Sequence, residues 1–285
     1  MQKLYILLTP FSREIKNEAS SYHVQKGVMG LTDSKKILLR HKSVLSALTL
    51  ILAVVLIFWT VSNPAIVGVS ASKRQLPVYC VQRDDKVVAL SFDAAWGNED
   101  TQTLIDILNK YNINTTFFVV GDWVDRYPES VQALHENGNE IMNHSTDHAH
   151  FSSLSTEQIV SDLQACNKKI EEITGVSPTL FRCPYGEYDD HVINAVNSIG
   201  MTAVQWDVDS LDWKGLSADE IEQRVLDRVQ PGSIVLFHNA AENTPQALPG
   251  IIESLLADGY TIVPISQILL SGEYIIDNNG RQCPK

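Results

Sequence analysis

From residue 86 onward, strand-like apolar runs alternate with helix-like amphipathic stretches, and that alternation narrows the folds open to the chain. Residues 87–92 (VVALSF) form a continuous apolar run, the mark of a strand buried on both faces. Leu104, Ile105, Ile107 and Leu108 then recur at helical spacing. Residues 115–120 are β-branched and aromatic, and 128–136 read as a helix stopped by Asn137-Gly138. A short strand over 140–142 follows. Ser155 with Gln158, and later Ser217 with Glu220, are capping boxes that open helices. Between and after them come strands at 179–182, 202–206, 233–237 and 260–263, and helices at 190–198, 249–256 and 265–270. About seven βα units fit into residues 86–270, which implies parallel strands joined by right-handed crossovers. The choice is a closed barrel or an open doubly wound sheet. No Gly-x-Gly-x-x-Gly follows the first strand, which counts against a dinucleotide fold.

Polar clusters end five of these strands. Ser91-Phe92-Asp93 closes the first, and Asn143-His144-Ser145-Thr146-Asp147-His148 the third. Arg182-Cys183-Pro184-Tyr185-Gly186 closes the fourth, the run from Asp207 to Trp213 follows the fifth, and His238 ends the sixth. In a barrel these ends share one rim, where such folds place their sites, so the clustering favours a barrel. His144 and His148 lie four apart, and a helical turn would bring both to one cation. The competing reading is a polar loop with two unrelated histidines. Arg182 can pair with Asp93 and lower its pKa. Pro184 and Gly186 suit a tight turn that offers a backbone N–H to an oxyanion. Asp212 can orient an imidazole, Trp213 is either a sugar platform or a packed rim residue, and His238 suits a general acid. Such a set equips a chain for metal-assisted hydrolysis of an amide or ester.

The charge is unevenly spread. The net charge is −12, but residues 1–43 hold eight Lys/Arg against three Asp/Glu, leaving residues 44–285 with 14 against 31. An acidic folded part argues against nucleic acid as a partner. Residues 44–61 are 18 consecutive uncharged residues preceded by Lys35, Lys36, Arg40 and Lys42, with Trp59 at interfacial depth. An uncleaved signal anchor with a cytoplasmic N-terminus and an external acidic domain fits best. A signal peptide cleaved near Val69-Ser70-Ala71-Ser72 and a buried core helix are the alternatives. Four cysteines are too few for a disulfide scaffold, and Cys80 and Cys283 can pair only if the domain's ends meet. Cys166 falls on a helix and reads as core.

With these five motifs in this order, residues 85–270 resemble the polysaccharide deacetylases of the NodB-homology group, carbohydrate esterase family 4, most of all their membrane-anchored Gram-positive and sporulation-type members. The resemblance implies an α/β fold, a distorted (β/α)7-8 barrel preceded by one transmembrane helix. With the charge and hydropathy reading above, the chain divides into a cytoplasmic tail (1–43), a signal anchor (44–61), a linker (62–84), the deacetylase domain (85–272) and a C-terminal tail (273–285). The implied activity is hydrolysis of N-acetyl groups on cell-wall or related polysaccharide, peptidoglycan or chitin-like. The implied cofactor is a divalent metal, zinc first, then cobalt or manganese. By likeness Asp93 is the base, His144 and His148 the metal ligands, and Arg182 the partner of the base. The Tyr185 N–H is the oxyanion donor, Asp212 tunes the acid His238, and Trp213 and Leu236 line the acetyl pocket. One position departs. The family's third ligand, an aspartate directly after the base, is Ala94 here. That departure supports an alternative function, a non-catalytic glycan-binding barrel at the membrane surface. His150 is the nearest substitute, with a solvent-facing role favoured.

Overall fold

The structure, a computed structural model, describes residues 29–62 and 74–285. It divides into two compact units, Met1–Ser72 and Lys73–Lys285. In the first, α1 (Met29–Ser62) contains the stretch Arg40–Thr60, which is 21 residues and long and apolar enough to cross a membrane. Residues 1–28 of the expected tail, and residues 63–73 of the linker with the alternative cleavage site, lie outside the described residues, while residues 29–43 of that tail belong to α1.

The second unit begins with β1 (Cys80–Val81), β2 (Val87–Ala94), α2 (Thr101–Lys110), β3 (Thr116–Val119), α3 (Gly121–Arg126), α4 (Pro128–Glu136) and β4 (Glu140–Asn143). It continues with α5 (Thr156–Thr174), β5 (Leu180–Phe181), α6 (Asp190–Ser198), β6 (Thr202–Ala203), β7 (Val208–Asp209), α7 (Ala218–Leu226) and β8 (Ile234–His238). It ends with α8 (Thr244–Ala257), β9 (Thr261–Ile262), α9 (Ile265–Ile268), β10 (Tyr274–Ile276) and β11 (Arg281–Pro284).

Eight parallel strands form the main sheet in the order β6-β5-β4-β3-β2-β8-β7, with β9 alongside the start of β2. The sheet curls into the distorted barrel expected, with β6 and β7 as its two ends. Residues 78–81 lie across the seam between them. The Val78 N–H donates to the Ala203 carbonyl at 2.9 Å, and the Val81 N–H to the Gly232 carbonyl at 2.9 Å. The pleat of β2 explains why the strand reads as apolar on both faces. Val88, Leu90, Phe92 and Ala94 join the apolar cluster under the helices, where Phe92 stacks on Phe117 and Phe237 at 4.8 and 5.5 Å. Ala89, Ser91 and Asp93 alternate with them and face the barrel interior. Each fully buried large side chain in such a layer contributes about 1.5–3 kcal/mol.

Both capping boxes form, at Ser155/Gln158 and Ser217/Glu220. Cys166 is fully buried on α5. Three expectations change. α8 opens at Thr244, before Pro249, because its face of Ala247, Leu248, Ile251, Ile252 and Leu255 is buried and outweighs the internal proline. The short helix α3, unmarked by periodicity, follows β3 directly. The segment expected as a tail supplies β10 and β11, and β11 pairs with β1 in a small three-stranded sheet. The ends of the domain therefore do meet. Cys80 and Cys283 nevertheless remain free thiols. Cys80 is opposite Arg281, two residues short of Cys283. Strand spacings put the two Cα atoms roughly 8 Å apart, past disulfide reach.

Candidate active site

The five motifs converge at the C-terminal ends of the parallel strands. They surround a cavity of about 400 Å³ whose wall includes Asp93, His144, His148, Tyr185, Trp213, Leu236 and His238. Asp93 and His238 are paired positions on the adjacent strands β2 and β8, so they stand side by side. Asp212 closes β7's excursion in the 3-10 turn Asp212–Lys214 and lies directly behind His238.

Asp93 and Arg182 are both buried. The Arg182 Nη1 donates to Asp93 Oδ1 at 2.8 Å, and its Nη2 donates to Ser91 Oγ at 2.9 Å and the Gln205 carbonyl at 3.1 Å. Its guanidinium lies over the Phe118 ring at 4.1 Å. Burial alone would raise the Asp93 pKa. Arg182, with His144 and His238, more than offsets it and holds the carboxyl below its ordinary range.

His238 Nδ1 donates to Asp212 Oδ1 at 2.8 Å, which leaves its Nε2 for the cavity. Asp212 also accepts from the His238 N–H at 2.7 Å, the Trp213 N–H at 2.9 Å and the Thr244 hydroxyl at 2.8 Å. Burial opposes a charged His238, but the bond and charge of Asp212 outweigh it and raise the imidazole's pKa.

The histidine motif does not turn helically. It is an irregular loop in which Ser145 and His148 adopt left-handed backbone, φ 73° and 60°. Side chains hold it there. The Ser145 N–H donates to Asn143 Oδ1 at 2.7 Å, the Thr146 N–H to Asp162 Oδ1 at 2.9 Å, and the His148 N–H to Ser145 Oγ at 2.9 Å. Both imidazoles still reach one cavity, with ring centres 4.9 Å apart. His144 Nδ1 donates to the Arg182 carbonyl at 2.8 Å, which leaves its Nε2 for the cavity, 3.5 Å from Asp93 Oδ2. Burial lowers the pKa of His144, and burial with the neighbouring His144 takes His148 down to about 4. Neutral imidazoles are the form a metal takes. The donor set fits a cation only sparsely. Among the described residues no group of three or more His, Cys, Asp or Glu is placed to hold one.

Ala94 explains part of that. It pairs in register with Val119, and Val119 with Asn143, whose side chain reaches the Leu163 carbonyl of α5. Ala94 thus lies on the helix-facing side of the strand end, in an apolar cluster with Val119 and Trp123. His150 is tied elsewhere, to Glu187 Oε2 at 2.7 Å, with its ring stacked on Tyr185 at 4.4 Å.

Tyr185 has φ 59° in the 3-10 turn Pro184–Gly186, and Leu211 and Ala240 take φ 56° and 55°. Five of the six described non-glycine residues with left-handed backbone therefore flank the rim, the pattern of strain held at working sites. The motifs gave no role to Ser91, Trp96 or Thr244. Ser91 had a signal, being two residues before Asp93 on one pleat face. Thr244 had none.

The matching family description, polysaccharide deacetylase, covers residues 81–204. The chain is 35% identical over 188 residues to the peptidoglycan-N-acetylmuramic acid deacetylase PdaC of Bacillus subtilis, 66% of this chain and 40% of that protein. It is 31% identical over 197 residues to the peptidoglycan-N-acetylglucosamine deacetylase PgdA of Listeria monocytogenes, 69% of this chain and 42% of that one. The chain thus spans less than half the length of these two relatives. A solved structure of BA3943, described as a CE4 family pseudoenzyme from Bacillus anthracis, is 31% identical with a TM-score of 0.66, covering 73% of each chain. A mutant of that protein is described as having restored enzymatic activity. The chain belongs to the polysaccharide deacetylase family.

Proposed function

We propose that the domain is a hydrolase that removes N-acetyl groups from cell-wall or related polysaccharide. The observation that carries this reading is the pairing of Asp93 with His238 on adjacent strands, one backed by Arg182 and the other by Asp212. A base kept ionised and an acid kept protonated, side by side over one cavity, suit amide hydrolysis. Asp93 takes a proton from the attacking water, and the Tyr185 N–H receives charge that develops on the acetamide oxygen. His238 gives its proton to the nitrogen as the C–N bond breaks, so acetate and a free amine leave. Trp213 and Leu236 enclose the acetyl methyl. His144 and His148 are the ligands for a divalent cation, zinc, cobalt or manganese. When bound, that cation supplies Lewis-acid polarisation of the carbonyl and of the water.

The second reading is a glycan-binding barrel without turnover. Ala94 and the two-histidine donor set favour it, and the likeness to a pseudoenzyme fits it. Acetate release from N-acetylated oligosaccharides and peptidoglycan, measured with and without added Zn²⁺, Co²⁺ or Mn²⁺, separates the two. Release under any of these conditions supports the hydrolase, and none under all of them leaves the binding barrel. We further assign α1 as a membrane anchor with a cytoplasmic N-terminus and an external domain, from the basic residues ahead of its apolar stretch. Protease applied to intact cells removes the domain in that topology, and protection from it refutes the assignment.

A further inference from the structure

The catalytic cavity continues beyond its rim. A hollow of about 370 Å³ shares Trp96, Trp213 and His238 with it. A third, of about 290 Å³, shares Ala240, Ala241 and Glu242 with the second. The three make one groove leading away from the acid.

Two features of its wall bear on what lies there. Trp96 and Trp213 are 51% and 55% exposed, so both indoles offer uncovered surface to a ligand. Lys214 sits 4.9 Å from the Trp213 ring centre and the His238 ring lies 5.7 Å from that of Trp96, so each indole has one close neighbour. The second feature is charge. Six carboxylates line the groove, those of Asp93, Asp209, Asp212, Glu242, Glu99 and Asp100; among the described residues no lysine or arginine is part of the lining, and Lys214 is the cation beside it, over Trp213. Asp93 is matched by Arg182 and Asp212 by His238. Burial pushes the Asp100 carboxyl up, so Asp209, Glu99 and Glu242 are the carboxylates that make the groove negative. One oxygen of Asp100 is buried without a hydrogen-bond partner.

We propose that this groove holds an oligosaccharide whose sugars beside the reacting one are neutral or carry an ammonium group, and that it rejects sugars bearing a carboxylate. The inference rests on the N-deacetylase reading and names its substrate class, a run of N-acetylglucosamine in preference to a strand with free N-acetylmuramic acid carboxylates. A lactyl carboxylate placed against Glu242 or Glu99 meets like charge. The ammonium left by one deacetylation is attracted to the same wall, so a strand already converted at one sugar stays bound for the next.

The test uses the full chain in detergent micelles carrying His238→Ala, which slows turnover by about 10²–10⁴-fold. Its affinity is measured by calorimetry for N-acetylglucosamine tetramer, the partly deacetylated tetramer, and a peptidoglycan tetrasaccharide with free lactyl carboxylates. The first two bind at least about fivefold tighter at low salt, and the gap narrows as salt rises. The gap also narrows in the Glu99→Gln, Glu242→Gln double variant, and Trp96→Ala weakens all three ligands. Equal affinities, preference for the carboxylate ligand, a gap untouched by the double variant, or binding of none overturns the proposal. Acetate release by the unaltered chain is followed in parallel. A binding preference without any release refutes the hydrolase reading and leaves the groove assignment standing.

Discussion

Asp212 accepts four hydrogen bonds and the Arg182 side chain donates three, whereas for His144 and His148, across the same cavity, the one carboxylate in ion-pair range among the described residues is Asp93, beside His144. The acid–base half is held by buried groups that determine one another. The metal half is a strained loop with two neutral imidazoles. The difference teaches that the placement of Asp93 and His238 is built into the fold by their buried partners, while the metal affinity proposed for the histidines rests on few atoms. The strand pleat is why, since it turns residue 93 into the cavity and residue 94 away from it.

The largest expected effect tests the built half. Asp93→Ala removes the base and strands a buried guanidinium, so it costs about 3–5 kcal/mol of stability in denaturant unfolding. It also lowers acetate release by about 10²–10⁴-fold. Unchanged stability would mean that Arg182 does not depend on its partner.

His238→Ala should lose activity to a similar extent, about 10²–10⁴-fold, with a much smaller stability change because His238 lies partly open to the cavity. Full retention of activity would remove it from the acid role. Asp212→Asn sharpens the point through pH. The folded pKa of His238 is raised above 6.5. The imidazolium therefore persists at higher pH, and activity falls as pH rises through that raised value. The ion pair's contribution to stability is likewise complete below 6.5 and is lost through the same raised value. The variant should move the alkaline fall in rate to lower pH, and a profile that stays put would break the link.

Ala94→Asp probes the sparse half. A carboxylate on the helix-facing side of β2 enters apolar surroundings, so the metal-free variant should lose about 2 kcal/mol or more. Zinc titration is the companion measurement. Unchanged zinc affinity agrees with the orientation seen here. Tighter binding would show that the strand end re-pleats toward the histidines and that Ala94 alone weakens the metal half. The smallest effect is expected from Ser91→Ala, about 1–2 kcal/mol, since Arg182 keeps two other acceptors.

Much of this was legible in advance where signals are local. The caps at Ser155 and Ser217 and the helices Pro128–Glu136 and Asp190–Ser198 follow from periodicity and end residues. Two-residue strands such as β7, β10's partner pairing and the union of β1 with β11 were not legible. Their order comes from neighbours far along the chain, which no short window contains. His144 and His148 show the same limit within one motif. Their spacing suggested a helical face, yet the loop reaches the same cavity through left-handed residues pinned by Asn143 and Asp162.

By itself, the sequence determined the alternation of strands and helices, the five strand-end motifs, the acidic balance and the absence of an aspartate after Asp93. These rest on residue identity and short-range periodicity. Only the tertiary structure decided that the sheet leaves a seam crossed by residues 78–81, that Asp93 and His238 stand on adjacent strands, and that Ala94 turns into the helix layer. Register and pleat settle such questions, and both are fixed by packing between segments distant in the chain.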